Sequence, residues 1–330
     1  MPDIFYDSFS CYATAQLPQR YQTVFTEVAG PVPTIEPTGG RRGNGAVRLN
    51  GLTLKGFVGR SGLPAGPLGI GFAFKTNVAY NEVIAQPCFA WRQNGTTQVD
   101  IVVAAGGTLQ VTRNGTFLGA GSTPLFGNTW HYLELRTTFH TSSGALILRL
   151  DGVQILALSG VNTSATGTAY ADEFCLGNSR LSTGQTGYDR SWCDLYCISN
   201  AALKGVRRIA ARFPVADVAS VGFAPSSGVD KYAMVAETTP DSDTTYLEST
   251  ALNDYALFSF QPLPTLTNPT IDGVQVSIWG ENTEVGDRSV AAQCRSNAID
   301  AYSADIALTS SQYKYGHGIF AVDPNTGLPW

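Results

Sequence analysis

Residues 144–158, GALILRLDGVQILAL, form two apolar-rich runs that break once, at Asp151-Gly152. Asp-Gly supplies the positive φ that a two-residue hairpin turn requires. Residues 107–118, GTLQVTRNGTFL, repeat the device at Asn114-Gly115. Residues 130–138 alternate in strand fashion. Trp130, Tyr132, Glu134 and Arg136 fall on one side; His131, Leu133, Leu135 and Thr137 fall on the other. Similar short runs occur at 46–49, 69–75, 99–103 and 174–176. Regular turns between short strands predict antiparallel sheets packed as a sandwich.

Helical pattern is scarce. Residues 200–211 begin NAALK, but Gly205 and the following VRRIA predict a turn and then a strand. Composition agrees. Charged residues make up 14% of the 330, against roughly 25% in ordinary domains. The 35 glycines and 43% apolar content suit tight turns around a sizeable core.

The net charge of −5 and a pI near 5.2 exclude nucleic acid as a general partner, because phosphate binding needs a positive surface. The N-terminal MPDIFYDSFS lacks the basic and apolar regions of a secretion leader, and no apolar run of membrane-spanning length occurs. The expectation is a chain made in a reducing cytoplasm, without membrane insertion.

Around residue 214 the chain passes through FPVADVASVGFAPSSGVDKY, a plausible junction. Strands are predicted beyond it at 231–236, 246–249, 255–260, 274–279, 289–293, 304–308 and 314–322. Residues 261–270, QPLPTLTNPT, hold three prolines and must connect elements. The prediction is two all-β sandwich domains, 1–213 and 214–330.

WCDLYC, residues 192–197, places two cysteines four apart. On a regular strand Cys193, Leu195 and Cys197 share one face, with Trp192, Asp194, Tyr196 and Ile198 on the other. At roughly 3.3 Å per residue the thiols stand about 13 Å apart, too far to bridge or to chelate one metal side by side. Cys11, Cys88, Cys175 and Cys294 are scattered singly. Small buried hydrophobes are the expectation for the 193/197 pair.

Catalytic motifs are few. His131, His140 and His317 form no short-spaced metal pair, and neither a GxSxG elbow nor a phosphate loop occurs. Glycosidases need two facing carboxylates. Asp172 and Glu173 are neighbours on a strand and point apart, and Glu134 stands alone. These features predict a protein that is not an enzyme. Two binding candidates remain. Trp91, Tyr188, Trp279, Tyr313 and Tyr315 are the candidate aromatic platform for a glycan, although most aromatics in a sandwich belong to its core. Asp241 and Asp243, in TTPDSDTTY, are hard oxygen ligands suited to Ca²⁺, although Asx turns explain such loops as well.

The segments DSFSCY (7–12), GAVRLN (45–50), WHYLELRTTF (130–139), LRLDGVQIL (148–156), EFCLGN (173–178) and WCDLYC resemble the concanavalin A-like, laminin-G-like jelly roll. In that family the last segment is a core strand, usually D-D-L-Y. The whole chain resembles virion structural proteins of tailed bacteriophages. The carrying segments are VDKYAMVAETTPDSDTTYLEST (229–250), DYALFSF (254–260), IDGVQVSIWGE (271–281) and DPNTGLPW (323–330). This resemblance implies a non-enzymatic, tail-associated or surface appendage of the virion, working as a homo-oligomer with other virion proteins. It also implies contact with the host surface. Alternatives are a carbohydrate-binding host-recognition module, a capsid decoration protein and, last, a glycosidase. Relatives of this type continue past the final Trp with one more strand. The expectation is a sequence cut short at Trp330, or an edge covered by a neighbouring subunit.

Overall fold

The computed structural model describes residues 3–26, 33–49, 56–77, 86–178, 189–265, 270–309 and 312–330. The protein is all-β and divides into two compact units, residues 1–209 and 210–330.

Two antiparallel sheets make the first unit, a jelly-roll sandwich. One runs Val153–Val161, Gly144–Leu150, His131–Thr138, Leu68–Thr76, Arg190–Ser199, Ala46–Leu49 and Pro33–Glu36, with Asp3–Asp7 also pairing to Arg190–Ser199. The other runs Thr116–Pro124, Thr108–Arg113, Thr96–Val103, Gln86–Gln93, Glu173–Asn178, Gly56–Ser61 and Thr23–Thr26. The predicted turns form as expected. Asp151 and Gly152 take φ of 51° and 85°, and Asn114 and Gly115 take 45° and 92°. Asn94-Gly95 makes a third such turn, at 46° and 78°.

Large aromatic side chains fill the space between the sheets. Phe72, Phe74, Phe89, Trp91, Phe174 and Trp192 are buried to 1% exposure or less. Each stabilises the fold by a few kcal/mol, at about 25 cal/mol per Å² of apolar surface. The Trp192 indole N–H crosses the core to donate to the Cys88 carbonyl at 3.1 Å. In the DSFSCY segment, Asp7 gathers the Tyr12 and Tyr21 hydroxyls at 2.8 and 3.0 Å and the Arg20 guanidinium at 3.2 Å.

The strand Arg190–Ser199 departs from the regular alternation. Asp194 takes φ of +51°, and pairing to the neighbouring strand shifts from Cys193↔Ala73 to Tyr196↔Gly71. Three steps on one strand match two on the other, which is a β-bulge. The face assignment made from a regular strand is therefore corrected. Cys193 accepts the Arg41 backbone N–H on the outer face, whereas Cys197 sits across from it, near Arg60 of the opposite sheet. All six cysteines are free. Burial pushes the Cys193 and Cys197 thiols up to about 12, so neither is a thiolate nucleophile near neutral pH.

Residues 200–209 lie over the outer face of this strand. The Lys204 N–H donates to Tyr196 Oη at 3.0 Å, Gly205 N–H to Glu134 Oε1 at 2.7 Å and Ile209 N–H to Asp194 Oδ1 at 2.8 Å. Arg41 bridges Asp194 Oδ2 at 3.1 Å and the Arg207 carbonyl at 2.6 Å. These contacts bind the segment to the first unit, so the division falls after 209 and not after 213.

In the second unit the described strands pair as two-stranded antiparallel ribbons. These are Pro214–Val221 with Tyr255–Phe260, Ala224–Pro225 with Leu247–Glu248, and Val274–Gly280 with Lys314–Phe320. Arg288–Val290 pairs with Ile306–Leu308, and Gln293–Ser296 with Ile299–Tyr302. The strand expected at 231–236 is instead a 3₁₀ turn, Tyr232–Met234. The last ribbon was not anticipated, because its turn uses Asn297 and Ala298 at φ of 43° and 66° with no glycine to mark it.

Asp194→Ala should destabilise the protein by about 3–5 kcal/mol in denaturant unfolding, since it leaves Arg41 unpaired and the covering segment untied. Asp194→Asn keeps an acceptor and tolerates positive φ, so it should lose clearly less. Equal losses would refute the role assigned to the carboxylate.

Candidate functional site

Register on the ribbon Val274–Gly280 with Lys314–Phe320 decides which side chains share a face. Val276 pairs with Gly318 and Ile278 with Gly316. A Cβ on Gly316 would meet Ile306 at 2.2 Å, and one on Gly318 would meet Ser303 at 2.6 Å. That face is therefore packed against the rest of the unit. The opposite face carries Trp279 across from Tyr315, Ser277 across from His317, and Gln275 across from Ile319.

Three aromatic rings gather at one end of this second face. The Trp279 and Tyr315 centroids lie 6.0 Å apart with planes 25° from parallel. Tyr313, just before its strand, lies 4.4 Å from Trp279 at 31°. All three rings are half-buried. Ser277 is exposed and continues the strip, accepting the Gln275 side-chain amide at 3.1 Å.

The acidic loop comes to the same place. Tyr313 Oη donates to Asp243 Oδ1 at 2.6 Å, across 70 residues of chain. Desolvation first, and then the Asp243 carboxylate, push the Tyr313 phenol well above an ordinary tyrosine, with the Glu281 and Asp241 charges adding to the shift. Asp241 holds its own loop. It accepts the Thr245 N–H at 3.0 Å and the Thr245 hydroxyl at 2.9 Å. Asp241 and Asp243 thus have different partners. No group of three His, Cys, Asp or Glu side chains placed to hold a metal ion occurs among the described residues.

Five aromatics were candidates for a glycan platform, and the structure unites Trp279, Tyr313 and Tyr315. Trp91 is corrected. It is fully buried between the sheets, edge-on to Phe89, Phe139 and Phe174, where no ligand reaches it. Tyr188 lies outside the described residues. Gln275 and Ser277 were missed, although their period-two spacing from Trp279 was a readable signal.

His131 and His140 have local structural partners. His131 accepts the Phe126 N–H through Nε2 at 3.0 Å and faces Asp151 through Nδ1 at 2.7 Å. His140 Nδ1 accepts the Ser142 and Ser143 N–H groups at 3.0 Å each. No helix among the described residues is long and apolar enough to cross a membrane.

No protein-family model and no curated protein matches the chain. Several solved structures resemble it. An endo-β-1,4-glucuronan lyase from the fungus Trichoderma reesei is 13% identical, with a TM-score of 0.48, covering 60% of this chain and 96% of the lyase. The cellulose-induced protein Cip1 is 12% identical, with a TM-score of 0.43, covering 60% and 98%. An alginate lyase is 10% identical, with a TM-score of 0.44, covering 62% and 99%. At this distance the likeness concerns the fold alone. The expectation of a protein that is not an enzyme is nevertheless corrected: lyases stand among the structures of this architecture, so the fold gives no ground for ruling catalysis out.

Raising the pH should ionise Tyr313 later than an ordinary tyrosine. Folding favours its protonated form, so the Tyr313–Asp243 tie is intact below the usual tyrosine range and is lost as pH climbs through the raised value. Alkaline difference absorbance, wild type minus Tyr313→Phe, reads this directly. In an Asp243→Asn background the Tyr313 transition should move down.

Proposed function

We propose that the chain is a carbohydrate-binding protein, and that the Trp279–Tyr313–Tyr315 face of the second unit is where the saccharide stacks. The observation that carries this reading is the half-buried cluster of three rings, with planes 25° and 31° from parallel, beside hydrogen-bonding side chains on one sheet face. Sugar C–H faces pack on aromatic rings, and convergent polar groups fix their hydroxyls. Ser277, Gln275 and Asp243 are the polar groups at hand. The jelly roll of the first unit serves as the stable body to which this module is joined.

The setting we propose is a phage particle, with the chain as a host-recognition appendage; this rests on the segments at 229–250, 254–260, 271–281 and 323–330. Assembly into a homo-oligomer has a separate support in the second unit. Val215, Val218, Val221, Phe260, Leu263, Leu252, Val285 and Leu328 are between 44% and 101% exposed. Buried apolar side chains there are few, namely Ala292, Ile319 and Phe320 among the described residues. Where such side chains lie side by side they offer an apolar surface for a second copy of the chain.

Calorimetric titration of the full chain against a panel of oligosaccharides tests the reading. Trp279→Ala should weaken binding about thirtyfold or more, as loss of a central aromatic anchor does. Phe126→Ala, an exposed ring of the first unit, should leave it unchanged. Saccharide binding that survives Trp279→Ala would place the site elsewhere. Sedimentation at micromolar concentration should show an oligomer, and a monomer would remove the assembly part.

A further inference from the structure

The aromatic face has a sign of charge as well as a shape. Asp243 is hydrogen-bonded to the hydroxyl of one of its rings, and Glu281 directly follows the strand that carries Trp279. Asp241 lies two residues from Asp243, on an exposed loop. The charges acting on Tyr313 are these three carboxylates. The nearby Lys314 is turned away. It pairs with Gly280, alternates to the packed face, and its ammonium donates to the Ala307 carbonyl at 3.3 Å.

Resting on the stacking reading above, we infer that this face selects a saccharide bearing a free amine, a hexosamine unit, and rejects polyanionic glycans such as uronates. Three physical effects act in the same direction. A sugar ammonium set beside Asp243 gains a charge-assisted hydrogen bond, roughly twice as strong as a neutral one. The same ammonium over Trp279 or Tyr315 gains a cation–π interaction, about 0.5–2 kcal/mol depending on desolvation. A uronate carboxylate in that position meets like charge from Asp243, Glu281 and Asp241, while Lys314 is directed to the other face. Tyr313 does not relieve this repulsion, because its hydroxyl proton is already given to Asp243. Recognition of this kind is set by which species is repelled as much as by which is held.

The test uses the full chain and three β-1,4-linked tetrasaccharides of equal length, built from glucosamine, N-acetylglucosamine and glucuronic acid. Below pH 7 the glucosamine oligomer should bind at least about tenfold more tightly than the glucuronate, with the acetylated oligomer between them. Added salt should narrow the gap, since these charges are exposed. Asp243→Asn and Glu281→Gln should each narrow it too, chiefly by weakening the glucosamine oligomer; Glu281→Gln leaves the Tyr313–Asp243 bond in place and so guards against a loosened loop. Glucuronate binding that is equal or tighter and depends on Trp279 would overturn the inference and leave the stacking reading standing. So would a preference for the amine that neither variant alters, or tighter binding of the acetylated oligomer. Failure of all three to bind would remove both readings together.

Discussion

A strand buried on both faces has no water to satisfy its polar groups, and Arg190–Ser199 is such a strand. Its inward side packs Trp192 against the second sheet. Its outward side presents Asp194 and Tyr196, which must find partners within the protein. The bulge at Asp194 turns the carboxylate outward beside Cys193, where Arg41, Asn44 and the Ile209 N–H meet it. Residues 200–209 are held over the sheet by these bonds and by Gly205 on Glu134. The closing of the sandwich, the course of the connecting chain and the point where the first unit ends all follow from satisfying this one strand.

The two units solve the problem of stability differently. The first buries a dense set of aromatic and aliphatic side chains between two wide sheets. The second is built from two-stranded ribbons, and such ribbons are marginal alone because a single pair buries little. Few of its described apolar residues are buried, and most are of intermediate or high exposure. In this thinly packed unit the rings of Trp279, Tyr313 and Tyr315 remain partly buried.

The site itself was partly legible. Trp279, Tyr313 and Tyr315 were visible as residue types suited to stacking, and Asp241 and Asp243 as an acidic loop, but they stood as two unrelated candidates. Only the fold joins them, through a hydrogen bond between residues far apart in sequence. Trp91 failed as a candidate for the complementary reason. A tryptophan on a strand carries the same local pattern whether it faces solvent or the opposing sheet, and in a sandwich with both faces of many strands buried the pattern does not discriminate.

By itself the sequence determined the all-β class, the hairpins at Asp151-Gly152 and Asn114-Gly115, and the strands at 255–260 and 274–279 of the second unit. Those features are local: turn chemistry and period-two alternation act over a few residues, so a few residues suffice to reveal them. The bulge at Asp194, the opposite facing of Cys193 and Cys197, the covering of the sheet by 200–209 and the meeting of Tyr313 with Asp243 were decided by tertiary structure alone. Each depends on which strand lies alongside which and in what register, and a one-residue change of register moves every following side chain to the other face.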